Sequence, residues 1–441
     1  MYNIYSHNEN ILNLAKSIIT ECSLIYLHPF GSTQPENVEI IGGEDNGPMI
    51  VVYDQEPLDL FYNKKLFNYV NHVHRDLEGE LRPMILLNTE KNSLEKEKIL
   101  KNYNAIDVNY FFHALCSSDW YRGYRYNVGI TDPNKRKLTK KFITFNRITG
   151  KSRIYRSMLV SKLSNKNLMT DGYVSYSPVC PAHQTHFRDS FETTSLKFGI
   201  TLEERKEYIA GLNKVKYPCR IDNKEEVQIS NGSYSIGPLP ELMSSFLHIV
   251  TETMFWDERT HLTEKIFKPI VAKQPFVLVG CANNLEYLKS YGFKTFDRWW
   301  DESYDSIKNP HQRLNAVVDI IDKICKMSLS QLEDMLREMQ DVLEYNYNWF
   351  YSQEFLDIVW GELVENFKKV KDGLANWKRP DIGISNPQIP REVIVEIRRR
   401  TKSEEEATQI IEQWSGYWAT TPAEQLPETF DAVLSQIFPK T

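Results

Sequence analysis

An α/β fold made of two Rossmann-like halves is what this chain of 441 residues predicts, and three observations carry the expectation. Short apolar runs alternate with stretches of helical periodicity, the pattern of parallel β-α-β units. Runs such as Met49-Ile-Val-Val-Tyr53 and Phe276-Val-Leu-Val279 are apolar at successive positions, as buried strands are. The length exceeds what one core can use, and at roughly 150 residues per domain it calls for two or three domains.

Taken in order, residues 3–5, the amphipathic run 11–19 and residues 24–27 make one strand-helix-strand unit. The strand 49–53 comes next, followed by a helix over 58–72, a strand over 83–87 and a charged helix over 94–103. Together they form a first Rossmann-like domain, residues 1–134. The basic run 135–141 marks its boundary. A second α/β domain, residues 135–330, holds a strand at 142–145, a helix at 153–163 and a strand at 173–176. A long irregular passage, 177–198, follows them, and then the strands 246–251 and 276–279. From 311 to 371 the pattern is wholly helical, with Trp349, Phe355, Ile358 and Trp360 at apolar positions, so residues 331–372 read as closing helices. Gly373, Pro380, Gly383, Pro387 and Pro390 mark 373–390 as a linker. Residues 391–441 then form a small helical appendage to which no chemistry attaches.

Composition narrows the function classes. Hydrophobic content of 41% and charged content of 25% fit a soluble globular protein. No apolar run approaches the ~18 residues of a membrane span. The first residues lack the features of a signal peptide, so a cytoplasmic protein is expected, in the host cytoplasm if the chain is viral. The cysteines are scattered without a CxxC pair, which argues against a zinc cluster and a disulfide framework. A net charge of −6 argues against a protein that coats nucleic acid. Locally, however, Lys135, Arg136, Lys137, Lys140, Lys141, Arg147, Lys151, Arg153 and Arg156 form a basic stretch without one acid.

Three segments could carry chemistry. Glu252 closes the strand 246–251, and His261-Leu-Thr-Glu-Lys-Ile266 follows at the mouth of the predicted sheet. Thr263 can cap a helix and leave its first N–H groups to an anion. Glu264 can accept hydrogen bonds from ribose or sugar hydroxyls, and Lys265 can pair with phosphate. The same residues also suit an ordinary capped helix with a solvated first turn, and Pro269 implies that this helix is short or bent.

The second segment, Phe145-Asn-Arg-Ile-Thr-Gly-Lys-Ser-Arg153, lies between a strand and a helix. Arg147, Lys151 and Arg153 stand there where α/β folds bind phosphates, although the spacing of a Walker loop is absent. The third, Tyr53-Asp-Gln-Glu-Pro-Leu58, puts Asp54 and Glu56 at a strand's carboxyl edge. Either could be a general base, or the N-cap of a helix that has Pro57 at its first position. His113, Asp119, Trp120 and Arg122 could line the same cleft. His183 and His186 are lone histidines, which more often mark surface or core positions.

No Asp-x-Asp triplet occurs, nor HExxH, GxSxG or GxGxxG. These absences disfavour a metal-diphosphate site, zinc peptidases, serine hydrolases and the common dinucleotide dehydrogenases. A nucleotide-sugar transferase fits the remaining pattern best.

Glu252, Thr263-Glu-Lys-Ile266 and the strand 275–280 resemble the donor-site segment of the α1,3-fucosyltransferases. There a Phe-Glu-Asn-Ser strand precedes a Thr-Glu-Lys helix, whereas Thr253 here follows the Glu. From Tyr53-Asp-Gln-Glu-Pro-Leu58 through Phe145-Asn-Arg147 to Trp300-Asp-Glu-Ser303, the chain is similar to predicted glycosyltransferases of large tailed bacteriophages. The resemblance implies a GT-B fold, with 1–134 as acceptor domain and 135–330 as nucleotide-sugar domain. It implies no metal, and no cofactor beyond the nucleotide-sugar co-substrate. Glu252, Thr263, Glu264 and Lys265 would bind nucleotide and sugar, and Arg147 with Lys151 or Arg153 would neutralise the departing diphosphate. Glu56 or Asp54 would deprotonate the acceptor.

The basic stretch favours a hydroxylated base in phage DNA as acceptor, flipped out and stacked on Trp120 or Tyr121. A glycan or protein acceptor is the alternative. The reading from another class is a nucleotide- or carbohydrate-binding structural protein without catalysis. No membrane partner is expected, and the oligomeric state is open.

Overall fold

The computed structural model describes residues 6–19, 22–27, 38–41, 47–58, 82–217, 219, 221, 233–378, 391–401, 406–407, 409–411, 413–414 and 430–438. Strands β1 Ser23–Leu27, β2 Val38–Ile41, β3 Met49–Val52, β4 Met84–Asn88 and β5 Ile106–Asn109 form a five-stranded sheet in the order β2-β1-β3-β4-β5. β1, β3, β4 and β5 are parallel, and β2 returns antiparallel along the outer edge.

Every residue of β3 and β4 is buried because helices cover both faces. Ile50, Val52, Ile85 and Leu87 share a core with the helices His7–Ile18, Phe112–Trp120 and Gln353–Ala375. Their neighbours Met49, Val51, Met84 and Leu86 meet Ile99 and Tyr103 of the helix Leu94–Tyr103. A run-on apolar segment is thus divided between two cores by the two-residue period of the strand. Residues 106–109 carry no strand signal in sequence, because Asp107 and Asn109 interrupt the apolar run. They nevertheless pair with β4.

A second sheet is wholly parallel. Its strands are β6 Lys140–Asn146, β7 Gly172–Tyr176, β10 Ser245–Thr251 and β11 Phe276–Val279, in the order β11-β10-β6-β7. The passage 177–198, expected to be irregular, holds the hairpin of β8 Val179–Cys180 and β9 Thr185–His186 and the helix Phe187–Thr194. The helix Tyr155–Asn165 carries the chain from β6 to β7 on one side. After the helix Leu202–Asn213 the chain enters β10 on the other side of β6. Strand order therefore reverses between β6 and β10, and the loops leaving their carboxyl ends diverge, which opens a crevice there.

The expected helical region is made of Pro310–Cys325, Leu329–Glu338, Gln340–Phe350 and Gln353–Ala375. Asn309, Ser328 and Ser352 cap three of these from the side chain. The last helix extends past the expected start of the linker and packs on β5 and on the helices His7–Ile18 and Phe112–Trp120. Phe355 is buried, but Ile358, expected in the core, is 47% exposed.

One apolar cluster runs from Val108 of the first sheet to Ile249 of the second. Polar contacts join the halves as well. Lys91 and Thr260 exchange backbone hydrogen bonds of 3.0 and 2.7 Å. The helices Arg391–Arg400 and Phe430–Ile437 contribute Val393, Ile397 and Leu434 to a separate small cluster with Ala407. The expected strand 3–5, the helix 58–72 beyond residue 58 and linker residues 379–390 lie outside the described residues. No described helix is long and apolar enough to cross a membrane.

Candidate active site at the carboxyl ends of two sheets

β10 ends at Thr251, and Glu252 beyond it is fully buried. Burial raises its carboxyl above the ordinary range, against the pull of Lys265. Thr263 donates to it twice, from the backbone N–H at 3.3 Å and from the hydroxyl at 2.5 Å. This folds the intervening loop back, so that Thr263 caps the 3-10 turn Glu264–Ile266 by accepting the Lys265 N–H at 3.4 Å. The helix that follows, Phe267–Val271, is short, and Pro269 is tolerated because its first turn needs no donor there. The Lys265 ammonium reaches Glu264 Oε1 at 2.9 Å, Thr263 Oγ1 at 3.1 Å and Thr253 Oγ1 at 3.3 Å.

β6 leads into the other loop of the crevice. Arg147 and Lys151 are exposed, and Arg153 is half-buried in the 3-10 turn Lys151–Arg153. Lys151 has a φ of +52°, a left-handed conformation that side chains rarely adopt and that concentrates at functional sites. Gly150 lies flat against His183; a Cβ there would sit 2.8 Å from the imidazole Cδ2. Burial and the neighbouring Arg156 weaken the hold of Arg153 on its proton, while Glu56 strengthens it. Arg156 itself is buried and donates to the carbonyls of Ile148 at 3.1 Å and of Thr251 and Glu252 at 3.0 Å. Tyr155 also donates to the Glu252 carbonyl. The two diverging loops are thereby tied together.

The first sheet faces this cluster with residues that follow β3 and β5. Glu56 is half-buried, and burial raises its carboxyl above the usual range while Arg153 and Lys265 oppose the rise. His113 donates from Nε2 to the Gln55 carbonyl at 3.0 Å and turns Nδ1 toward Glu264 Oε2, 4.0 Å away. Tyr121 donates to the Glu264 carbonyl at 3.4 Å. Burial works against the charge of Glu264, yet Lys265, His113 and Lys268 hold its carboxyl well below the ordinary carboxylate range. His261 is fully buried, edge-on to His113 at 5.9 Å between ring centres. Burial, with His113, Arg259 and Lys265 nearby, keeps it neutral.

Of the residues nominated from sequence, Glu56, Arg153, Glu252, Thr263, Glu264 and Lys265 come together, with Arg147 and Lys151 on the same loop as Arg153. Asp54 is engaged elsewhere, in a buried knot where its Oδ2 lies 3.1 Å from His7 Nε2 and 2.5 Å from the Tyr110 hydroxyl. Asp119 is buried and pairs with Arg122 at 3.2 Å. Trp120 stands edge-on to His113, but Tyr121 is buried and offers no face for stacking a base. His186 caps the helix Phe187–Thr194.

The nine cations of 135–156 do not share one surface. Arg136 is buried and donates to the carbonyls of Thr131, Ala272 and Lys273, and Arg156 is internal as described. The contacts of Arg156 with Thr251 and Glu252, of Arg259 with Glu90 and of His261 with His113 were not anticipated, because those partners lie far away in sequence and leave no local pattern. Among the described residues, no group of three or more His, Cys, Asp and Glu side chains is arranged to hold a metal ion. No protein-family model, no curated protein and no solved structure matches the chain.

Proposed function

We propose that this protein is a glycosyltransferase that moves a sugar from a nucleoside-diphosphate donor to a hydroxyl acceptor, with its two α/β halves arranged as in GT-B enzymes. One observation carries the reading. Residues that follow the carboxyl ends of β3, β5, β6 and β10, parallel strands of two different sheets, converge into one charged cluster of Glu56, His113, Arg153, Glu264 and Lys265. Ligands of parallel α/β sheets bind outside the carboxyl ends of the strands at a switch in strand order, which here is the β6–β10 crevice.

On this reading Arg153 and Lys265, with Arg147 and Lys151 on the adjoining loop, supply the positive charge that stabilises a departing diphosphate. Glu264 accepts from donor hydroxyls and is kept ionised for that purpose. The acceptor enters from the first half, where Glu56 and His113 stand. The acceptor class is proposed no further than a hydroxyl. The single basic face that favoured a DNA base is broken up by the burial of Arg136 and Arg156.

The test is incubation of the purified protein with UDP-, GDP- and ADP-sugars in the presence of hydroxyl acceptors, with free nucleotide as the readout. Release with one donor class is expected, and its loss in Glu264→Ala and Lys265→Ala. Binding of a nucleotide sugar without release would instead support the non-catalytic binding protein.

A further inference from the structure

We infer that His113 takes the proton from the acceptor hydroxyl through Nδ1; this role rests on the transferase reading above. The Gln55 carbonyl, 3.0 Å from Nε2, can only accept, so Nε2 carries the hydrogen. In a neutral ring Nδ1 is then a bare lone pair. It points toward Glu264 Oε2 at 4.0 Å, but two acceptors do not satisfy each other and the distance is too long for a hydrogen bond. The Cys116 thiol lies 4.0 Å from Nδ1, yet its hydrogen has the closer acceptor in the His113 carbonyl at 3.6 Å. Among the described residues, no donor therefore settles on Nδ1. Glu264, on that edge of the ring, has a side chain that is 18% exposed.

The charges around the ring suit the task. Burial keeps the imidazole neutral, assisted by Lys265, while Glu264 and Asp54 pull the other way. The remaining titratable neighbours are His261, held neutral by burial, and Cys116, whose thiol burial pushes up. The ring thus starts as a free base. Once protonated, it meets the ionised Glu264 carboxylate, which stabilises the imidazolium in the way a carboxylate supports a catalytic histidine.

Glu56 is less suited, because Arg153 and Lys265, on the diphosphate side, oppose the rise that burial gives its carboxyl. In the step itself, the acceptor oxygen bonds to the anomeric carbon as its proton passes to Nδ1. The bond from that carbon to the diphosphate breaks, and its electron pair leaves on the nucleoside diphosphate. The proton then returns to water from the imidazolium.

Two measurements test this. Nitrogen-15 NMR of the imidazoles, with His113→Gln for assignment, should show at pH 7 a neutral ring protonated at Nε2. An Nδ1-protonated or charged ring would overturn the proposal without reference to any sugar. In kinetics, His113→Gln keeps a donor for the Gln55 carbonyl but has no basic nitrogen. It should lose about 10²–10⁴ in kcat and the acidic limb of the pH profile, with donor affinity held within about threefold. Glu56→Gln should keep that limb. Full turnover in His113→Gln, or loss of the limb in Glu56→Gln, would overturn the role of His113 while leaving the transferase reading standing. An inactive wild type would overturn the transferase reading itself.

Discussion

Thr263 grips Glu252 with two hydrogen bonds, N–H to Oε1 at 3.3 Å and hydroxyl to Oε2 at 2.5 Å. Glu252 follows β10, and Thr263 caps the turn that carries Glu264 and Lys265, so the pair sets the distance from sheet to charged cluster. Thr263→Val removes the hydroxyl and leaves a buried carboxylate oxygen without it. A loss of about 1–3 kcal/mol in stability is expected, read from the urea midpoint. Thr263→Ser, which retains the donor, should lose far less, and equal losses in the two would refute the role of the hydroxyl.

The same carboxylate makes stability depend on pH. Folded Glu252 binds its proton more tightly than the unfolded chain does, because burial raises its pKa above 4.5. Its contribution is therefore fully present below the unfolded value and is lost as pH rises through the higher folded value. Glu252→Gln should remove this decline, so its melting temperature should fall less between pH 4.5 and neutrality than that of the wild type. Parallel curves would show that Glu252 does not titrate in that interval.

Arg259 links the halves through a buried pair. Its guanidinium donates to Glu90 Oε1 at 2.9 Å and to the Leu58 carbonyl at 2.8 Å, and Glu90 also accepts the Leu58 N–H. Arg259→Met leaves the Glu90 charge buried without its partner, at an expected cost of about 3–5 kcal/mol. Adding Glu90→Gln should return part of that loss, as measured by a double-mutant cycle in denaturant. Additive losses would mean the two residues act separately.

The parts of the fold that local chemistry controls were legible in sequence. The runs at β3, β4, β10 and β11 are apolar because helices or neighbouring elements cover them on both sides, and that requirement is written residue by residue. β5 was not legible, since Asp107 is engaged by Lys96 at 2.8 Å and Asn88 at 2.7 Å, contacts from other elements. At the site, the Thr-Glu-Lys turn and the Arg147–Arg153 loop were marked by residue type and by position after a strand. The choice between Asp54 and Glu56 was not marked. It depends on His7 and Tyr110, which close around Asp54 only once the chain is folded.

Arg136 and Arg153 belong to one basic stretch in sequence and differ in the fold, which yields the sharpest contrast. Arg136 donates to three backbone carbonyls, two of them just beyond the helix Phe267–Val271, and burial brings its guanidinium down to about 10. Arg136→Met strands those carbonyls, so stability should fall while donor affinity is retained. Arg153 is half-buried beside Glu56, where on the transferase reading a charge-assisted bond to phosphate is worth about 1.5–3 kcal/mol, roughly 10–150-fold in affinity. Arg153→Met should show that loss with little change in unfolding. Calorimetric titration with the nucleotide sugar, together with denaturation of both variants, measures the contrast. Equal weakening of donor binding by the two substitutions would place Arg136 in the site and contradict its burial.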